Sequence, residues 1–329
     1  MRAPHLSRYV HLMLIFALVW PAVAKAENPV VRVSILQSGT VDWVIQSILH
    51  HGDDEAAGIR IERRGLAGTD ATRVALLAGD ADIIAGDWIW ASRQRAEGED
   101  FAFVPYSDAV GALMVPPASE IDGPRDLAGK RLGIAGGPVD KSWLLLRAVA
   151  QRRHQFAIAD AVDASYGAPP LLNQQLRHGR LDAVLTFWHY AARLEADGYR
   201  RVIDVRSLIE ELGGGAALPM IGFVFRAGWA DEQPKAIAGF VAAVRAAQAR
   251  LASSDAEWQR LRTVIKPRNE TELAALRDAF RAGIPNWDEA EQWPESAAAI
   301  FAVLAAEGGA RLVGTSTTLQ PGTFWRPAR

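Results

Sequence analysis

The chain has 329 residues, a formal net charge of −2, no cysteine and eleven tryptophans. Half of the residues are apolar and 22% are charged, a globular balance that excludes a disordered or collagen-like chain. The missing cysteine excludes disulfides, thiolate metal sites and a lipid-bearing cysteine, and the near-zero charge argues against a nucleic-acid binder, which needs a concentrated basic surface.

Arg2 and Arg8 precede an unbroken apolar run, Leu12 to Trp20, followed by two overlapping small-x-small sites ending at Ala24 and Ala26. This is the three-part layout of a cleavable export signal over residues 1–26. The run is shorter than the roughly 20 residues that span a bilayer, and Pro21 breaks it. Cleavage removes Arg2, Arg8 and Lys25 and no acid. The mature chain is therefore expected to be mildly acidic, periplasmic and free of a lipid anchor.

Val31 to Leu36 alternates and then turns apolar, as a half-buried strand does. Gly39 turns the chain, and Val41, Val44, Ile45, Ile48 and Leu49 lie on one helical face. Thr40 is placed to cap that helix, with Asp42 in its first turn. Ile59 to Glu62 reads as a strand, Gly65 to Gly68 as a loop, and Thr69 to Ala78 as a helix ended by Gly79. Ala81 to Ala85 is a short buried strand. Strands at Phe101 to Val104 and Val110 to Val115 flank Pro105 to Asp108, the first crossing between lobes.

Arg131 to Ala135 then reads as a strand, Val139 to Ala150 as a helix and Ile158 to Val162 as a weaker strand. Ala168 to Arg177 is a helix with Pro169 and Pro170 in its first turn, Gly179 ends it, and Asp182 to Thr186 is a strand. Leu218 to Phe225 is the return crossing. Helices follow at Pro234 to Leu251, Thr271 to Arg281 and Glu289 to Ala306, and Gly314 to Arg329 is expected to wrap as loop.

These elements repeat. Leu76-x-x-Gly79-x-x-Asp82 matches Leu176-x-x-Gly179-x-x-Asp182, and Trp88 matches Trp188, all offset by 100. Gly39 to Trp43 resembles Gly137 to Asp140 with Trp143 close behind, and Gly65 pairs with Gly167. Alternating strands and helices in two similar copies predict an α/β chain of two lobes, each a mostly parallel sheet flanked by helices, with two crossing strands as hinge. Lobe one is expected over 28–108 plus 226–329, and lobe two over 109–225.

Asp126 to Ile134 (DLAGKRLGI), the paired Leu-x-x-Gly-x-x-Asp elements, and Phe223 to Gln248 resemble the periplasmic substrate-binding components of ATP-driven importers. The group most similar is the nitrate, sulfonate and taurine binders and their relatives for the pyrimidine precursor of thiamine, which have the type 2 periplasmic binding protein fold. The resemblance implies a cleft between lobes, hinge closure on a small molecule, and delivery to ABC permease subunits by a monomer that uses no cofactor and binds no nucleic acid.

In open parallel sheets, ligands bind beyond the carboxyl ends of strands. The loops there supply the candidate site: Ser38, Gly39, Thr40, Asp42, Trp43, Gly68, Thr69, Asp87 and Trp88 from lobe one, and Gly137, Asp140, Trp143, Tyr166, Thr186, Trp188 and His189 from lobe two. Thr40, Thr69 and Thr186 read equally as helix caps, and Asp42 and Asp140 favour a role as helix-dipole partners over ligand contact. The tryptophans can be core; four at helix starts on one sheet end favour at least two in the cleft. Lys141 is the chief cation among these loops, against Asp42, Asp70, Asp87 and Asp140. Aromatic faces with carboxylates suit an organic ligand bearing a flat ring or a cationic group over a simple anion, and a sulfonate carrying both charges stays open.

Gly123 to Lys130 superficially resembles a phosphate loop, but the spacing is one residue too long and Arg131 replaces the Ser or Thr. No metalloprotease or nucleophile-elbow motif occurs. An enzyme on the same fold acting on a small organic acid, with His189 as its residue to test, and a ligand-binding input subunit for a sensor remain the alternatives.

Overall fold

The computed structural model describes residues 28–215 and 218–326; the expected export signal over 1–26 lies outside them. Only helices of seven residues or more are numbered here. The chain opens with β1 (Val30–Leu36), α1 (Val41–His51), β2 (Arg60–Leu66), α2 (Thr69–Leu77), β3 (Ile83–Gly86), α3 (Trp88–Ala96) and β4 (Phe101–Ser107). The second half repeats the series: β5 (Gly111–Val115), β6 (Arg131–Ala135), α4 (Lys141–His154), β7 (Asp163–Gly167), α5 (Pro169–Arg177), β8 (Ala183–Phe187), α6 (Trp188–Ala196), β9 (Arg200–Asp204) and α7 (Val205–Glu211). β10 (Ile221–Arg226), α8 (Pro234–Ser253), α9 (Glu270–Ala282) and α10 (Trp293–Gly308) complete it.

Two five-stranded sheets form, in the orders β2-β1-β3-β10-β4 and β7-β6-β8-β5-β9. They are the same sheet built twice. In the first, β1 runs parallel to β2 and β3, and β10 is antiparallel to β3 and β4. In the second, β6 runs parallel to β7 and β8, and β5 is antiparallel to β8 and β9. In each sheet one strand runs against its two neighbours: β5, entered directly from β4, in the second, and β10, reached after the second sheet is complete, in the first. Those two strands are the crossings.

The repeated motif has a physical basis. Asp82 accepts from the Arg32 backbone N–H at 2.7 Å and from its guanidinium at 3.1 and 2.5 Å. Asp182 accepts from Arg131 in the same way, at 2.8, 3.1 and 2.6 Å. Each aspartate ties the first strand of its lobe to the loop entering the third. Gly79 and Gly179 end the preceding helices at φ +76° and +66°, the left-handed region where a side chain is strained.

Three expectations differ from the structure. Ile158–Ala161 is one turn of helix, and the strand starts after it at Asp163. The alanine-rich stretch favours helix, and β7 is a largely exposed edge strand with little apolar pattern to read. Thr40 sits at the N-cap of α1 without a side-chain cap bond, and Thr69 lies inside α2 behind Gly68. The tail is more than loop: Phe103 donates its N–H to Thr323 at 2.7 Å and accepts from Trp325 at 2.9 Å, so the tail covers the exposed edge of β4. Among the C-terminal helices, α8 packs on α1, α9 on α6 and α10 on α4, so this segment touches both lobes.

Candidate functional site

Beyond the carboxyl ends of the strands the lobes meet: Trp43 after β1 touches Trp188 after β8, and Asp87 after β3 touches Lys141 after β6. The aspartates in these loops are occupied. Asp42 is buried and held by Arg63 through two bonds, at 2.5 and 2.8 Å. Asp140 caps α4, accepting from the backbone of Ser142 at 3.0 Å and Trp143 at 3.4 Å. Burial raises its pKa against the pull of Lys141 and these N–H donors.

Asp87 crosses the lobes. One oxygen caps α3 through the Trp90 N–H at 2.9 Å, and the other takes the Lys141 ammonium at 3.2 Å. Arg73 approaches the same oxygen at 4.0 Å and lies over the Trp90 ring. Burial alone would raise the Asp87 pKa; Lys141, the Trp90 N–H and Arg73 outweigh it and hold the carboxyl below its ordinary value. Burial alone would lower the Lys141 pKa; Asp87 and Asp140 outweigh it and hold the ammonium above its ordinary value. The two charges hold each other ionised across the cleft.

The four tryptophans are core residues. Trp88 and Trp143 are sealed, and Trp43 and Trp188 are 4% and 6% exposed. Trp88 donates its indole N–H to the Pro219 carbonyl at 3.0 Å. Trp43 and Trp188 meet edge to face at 5.8 Å, joining α1 of the first lobe to α6 of the second. Of the other expected residues, Ser38 and Thr69 lie exposed, Gly39, Thr40, Gly68 and Gly137 are half-buried, and Tyr166 is 43% exposed. Thr186 is buried, with its hydroxyl unpartnered.

A cavity of about 430 Å³ opens beside the tryptophan pair. Ser38, Trp43 and His189 line it, bringing three expected residues together. The rest of the wall comes from residues that sequence reasoning missed: Asn173 and Arg177 of α5, Tyr190 and Arg193 of α6, and Lys266, Arg268 and Glu272 at and before α9. Glu272 is fully buried and paired with both Arg193 and Arg268. Asp197 takes Arg177 at 2.7 Å and Arg268 at 2.7 Å. Three arginines thus share two carboxylates, and Lys266 adds a further cation. This wall carries surplus positive charge. Burial, with Arg193 nearby, pushes the His189 pKa down to about 3, so the imidazole is neutral.

The signal for the missed cations was present but indirect. Arg177 is the last residue of α5 and Arg193 lies beyond the first turn of α6, both away from the loops at the strand ends. Lys266 and Arg268 come from a connection unrelated to the repeat.

The sequence profile of the NMT1/THI5-like family matches residues 55–256. No curated protein sequence matches the chain. Among solved structures, the periplasmic aliphatic sulphonate binding protein SsuA from Escherichia coli is similar at a TM-score of 0.72 and 17% identity, over 91% of this chain and 93% of that one. The alkanesulfonate-binding protein SsuA from Xanthomonas axonopodis pv. citri, bound to MOPS, is similar at 0.67 and 17%, over 92% and 99%. A putative sulfonate ABC transporter periplasmic sulfonate-binding protein from Methylobacillus flagellatus KT gives 0.66 and 16%, over 92% of both chains. At these identities the likeness is one of fold.

Proposed function

This chain belongs to the NMT1/THI5-like family, and from that premise we propose that it is an exported solute-binding protein of an ABC importer, capturing a small organic anion between its lobes. The observation that carries this reading is the positively charged interlobe cavity. Arg177, Arg193 and Arg268 share the two carboxylates Glu272 and Asp197, so with Lys266 the wall keeps surplus positive charge for sulfonate or carboxylate oxygens. The aspartates that favoured a cationic ligand in the sequence are consumed by Arg63, Lys141 and helix caps. A sulfonate-like ligand is accordingly favoured over a simple amine or an uncharged heteroaromatic ring. The names of the fold relatives point the same way.

Capture works by differential affinity. A ligand touching wall residues from both lobes stabilises the closed arrangement over the open one. The moving bodies are the two sheets with their flanking helices, β10 moving with the first sheet that it pairs into rather than with residues 109–220, and the closed form docks on the permease as a monomer. Periplasmic location without a lipid anchor follows from the export signal and the missing cysteine. The enzyme alternative loses ground at His189. Its Nδ1 is buried without a partner, so it lacks the orienting group that a general base requires.

Thermal unfolding in the presence of a panel of sulfonates, carboxylates, amines and pyrimidines tests the reading. Sulfonates or carboxylates should raise the midpoint by several degrees at saturating concentration. Stabilisation by amines or pyrimidines alone would overturn it.

A further inference from the structure

Asn173 is 2% exposed and lines the interlobe cavity. Its Nδ2 donates to the Tyr190 carbonyl at 3.0 Å. That bond fixes the amide orientation, because a flip would set Oδ1 against the same carbonyl oxygen. Oδ1 is left buried with no partner. The neutral His189 also lines the cavity, and its Nδ1 is unpartnered too. Burying polar atoms unpaired is costly, and native structures seldom leave it so without a reason.

Lys266 supplies the opposite chemistry. It holds φ at +52°, a left-handed conformation uncommon for a residue with a side chain. It closes the turn Arg262–Ile265, its N–H donating to the Arg262 carbonyl at 2.9 Å. Among the described residues no carboxylate pairs with its ammonium, whereas Arg193 and Arg268 on the same wall are both held by Glu272. That conformation is the left-handed cap of the turn, and it sets Lys266 on the same cavity wall as Asn173 and His189.

Resting on the anion reading above, we propose that the cavity selects an organic anion that also carries a hydrogen-bond donor. Lys266 faces the anionic head, and the Asn173 carboxamide oxygen with His189 takes the N–H or O–H of the tail. The ligand class is a hydroxy- or amino-substituted short-chain sulfonate or carboxylate, and the unsubstituted acid is discriminated against. A site built to hydrogen-bond a ligand group rejects the analogue lacking it, because its own polar atoms then stay unpaired.

Calorimetric titration with two matched series tests this: ethanesulfonate, 2-hydroxyethanesulfonate and 2-aminoethanesulfonate, and propanoate, 3-hydroxypropanoate and 3-aminopropanoate. In at least one series the hydroxy or amino member should bind about tenfold or more tightly than the plain anion. Asn173→Leu should reduce that preference to within about twofold while the plain anion keeps its affinity. Lys266→Gln should weaken every binding member of a series by a similar factor, about tenfold. Equal affinities within each series for the unaltered protein overturn the proposal even if Asn173→Leu fails to fold, and they leave the anion reading standing. A Lys266→Gln variant that binds all members as before removes Lys266 from the anion contact and overturns the proposal as stated. No binding of any of the six overturns the anion reading itself, and this inference with it.

Discussion

Asp82 and Asp182 occupy equivalent positions in two copies of one motif and make the same three bonds to an arginine, yet their surroundings differ. The Asp82 side chain is 8% exposed and that of Asp182 is 31% exposed. Water competes for the second pair and screens it. Asp82→Ala should therefore destabilise the chain by about 2 kcal/mol, the scale of charge-assisted bonds lost from a buried site, and Asp182→Ala by clearly less. Urea unfolding of both variants checks the order; a larger loss at Asp182 would contradict it. Trp188 packs against both Trp43 and Phe280. Trp188→Ala should cost about 3–5 kcal/mol, as large-to-small core changes do, and near-native stability in the same experiment would refute that packing role. At this scale the motif was legible because it repeats at one offset and because a glycine ending a helix is a local role; the bonds of its aspartates to Arg32 and Arg131, 50 and 51 residues away, were not. The cavity wall was not. Whether Asp87 meets a ligand or Lys141 depends on what the other lobe brings to it, and composition does not carry that. The same holds for the tryptophans, whose shared place at helix starts reads alike for core and cleft.

At the scale of elements, the crossings matter most. Asp108 lies between β4 and β5, 6% exposed. One carboxylate oxygen is unpartnered, and Arg206 stands 3.8 Å away. Beside it, Ser107 donates to the Gly283 carbonyl at 3.1 Å and the Asp108 N–H donates to it at 3.1 Å. Burial pushes the Asp108 pKa up to about 6 against the opposing pull of Arg206. A carboxyl whose folded pKa lies above its unfolded value of 3.8 contributes most stability when protonated, and that contribution is lost as pH rises to about 6. Asp108→Asn should thus gain stability relative to the unaltered chain above about pH 6 and lose that advantage below about pH 4. Urea unfolding across this range checks the sign; a variant whose advantage grows on acidification would contradict it. Most strands and helices were readable from apolar periodicity, and the offset of 100 places α2 against α5 and α3 against α6, whereas β9 and α7 were not read from the sequence. Periodicity failed at β7, whose exposed edge position demands little apolar surface, and at the tail, whose pairing with β4 rests on backbone bonds.

At the scale of the whole molecule, the lobes meet through three kinds of contact. Asp87 pairs with Lys141, Trp43 packs on Trp188, and α9 of the C-terminal segment packs on α6. The ion pair bridges the two lobes. Lys141→Gln leaves Asp87 its helix-cap bond while removing the link between lobes. Small-angle X-ray scattering of the ligand-free variant should show a larger radius of gyration than the unaltered chain; identical curves would mean that the pair does not set the resting arrangement. Two lobes of one construction were visible in the repeat, whereas the closed contact surface, and with it the charge of the cavity, comes from pairing residues distant in sequence. On the proposed function, the cavity between the lobes holds a small organic anion. A crystal structure grown with the tightest-binding sulfonate or carboxylate tests it most directly. The anion should lie in the cavity beside Trp43 and His189, bonded to residues of both lobes; an anion bound outside that cavity, or to one lobe alone, would contradict it.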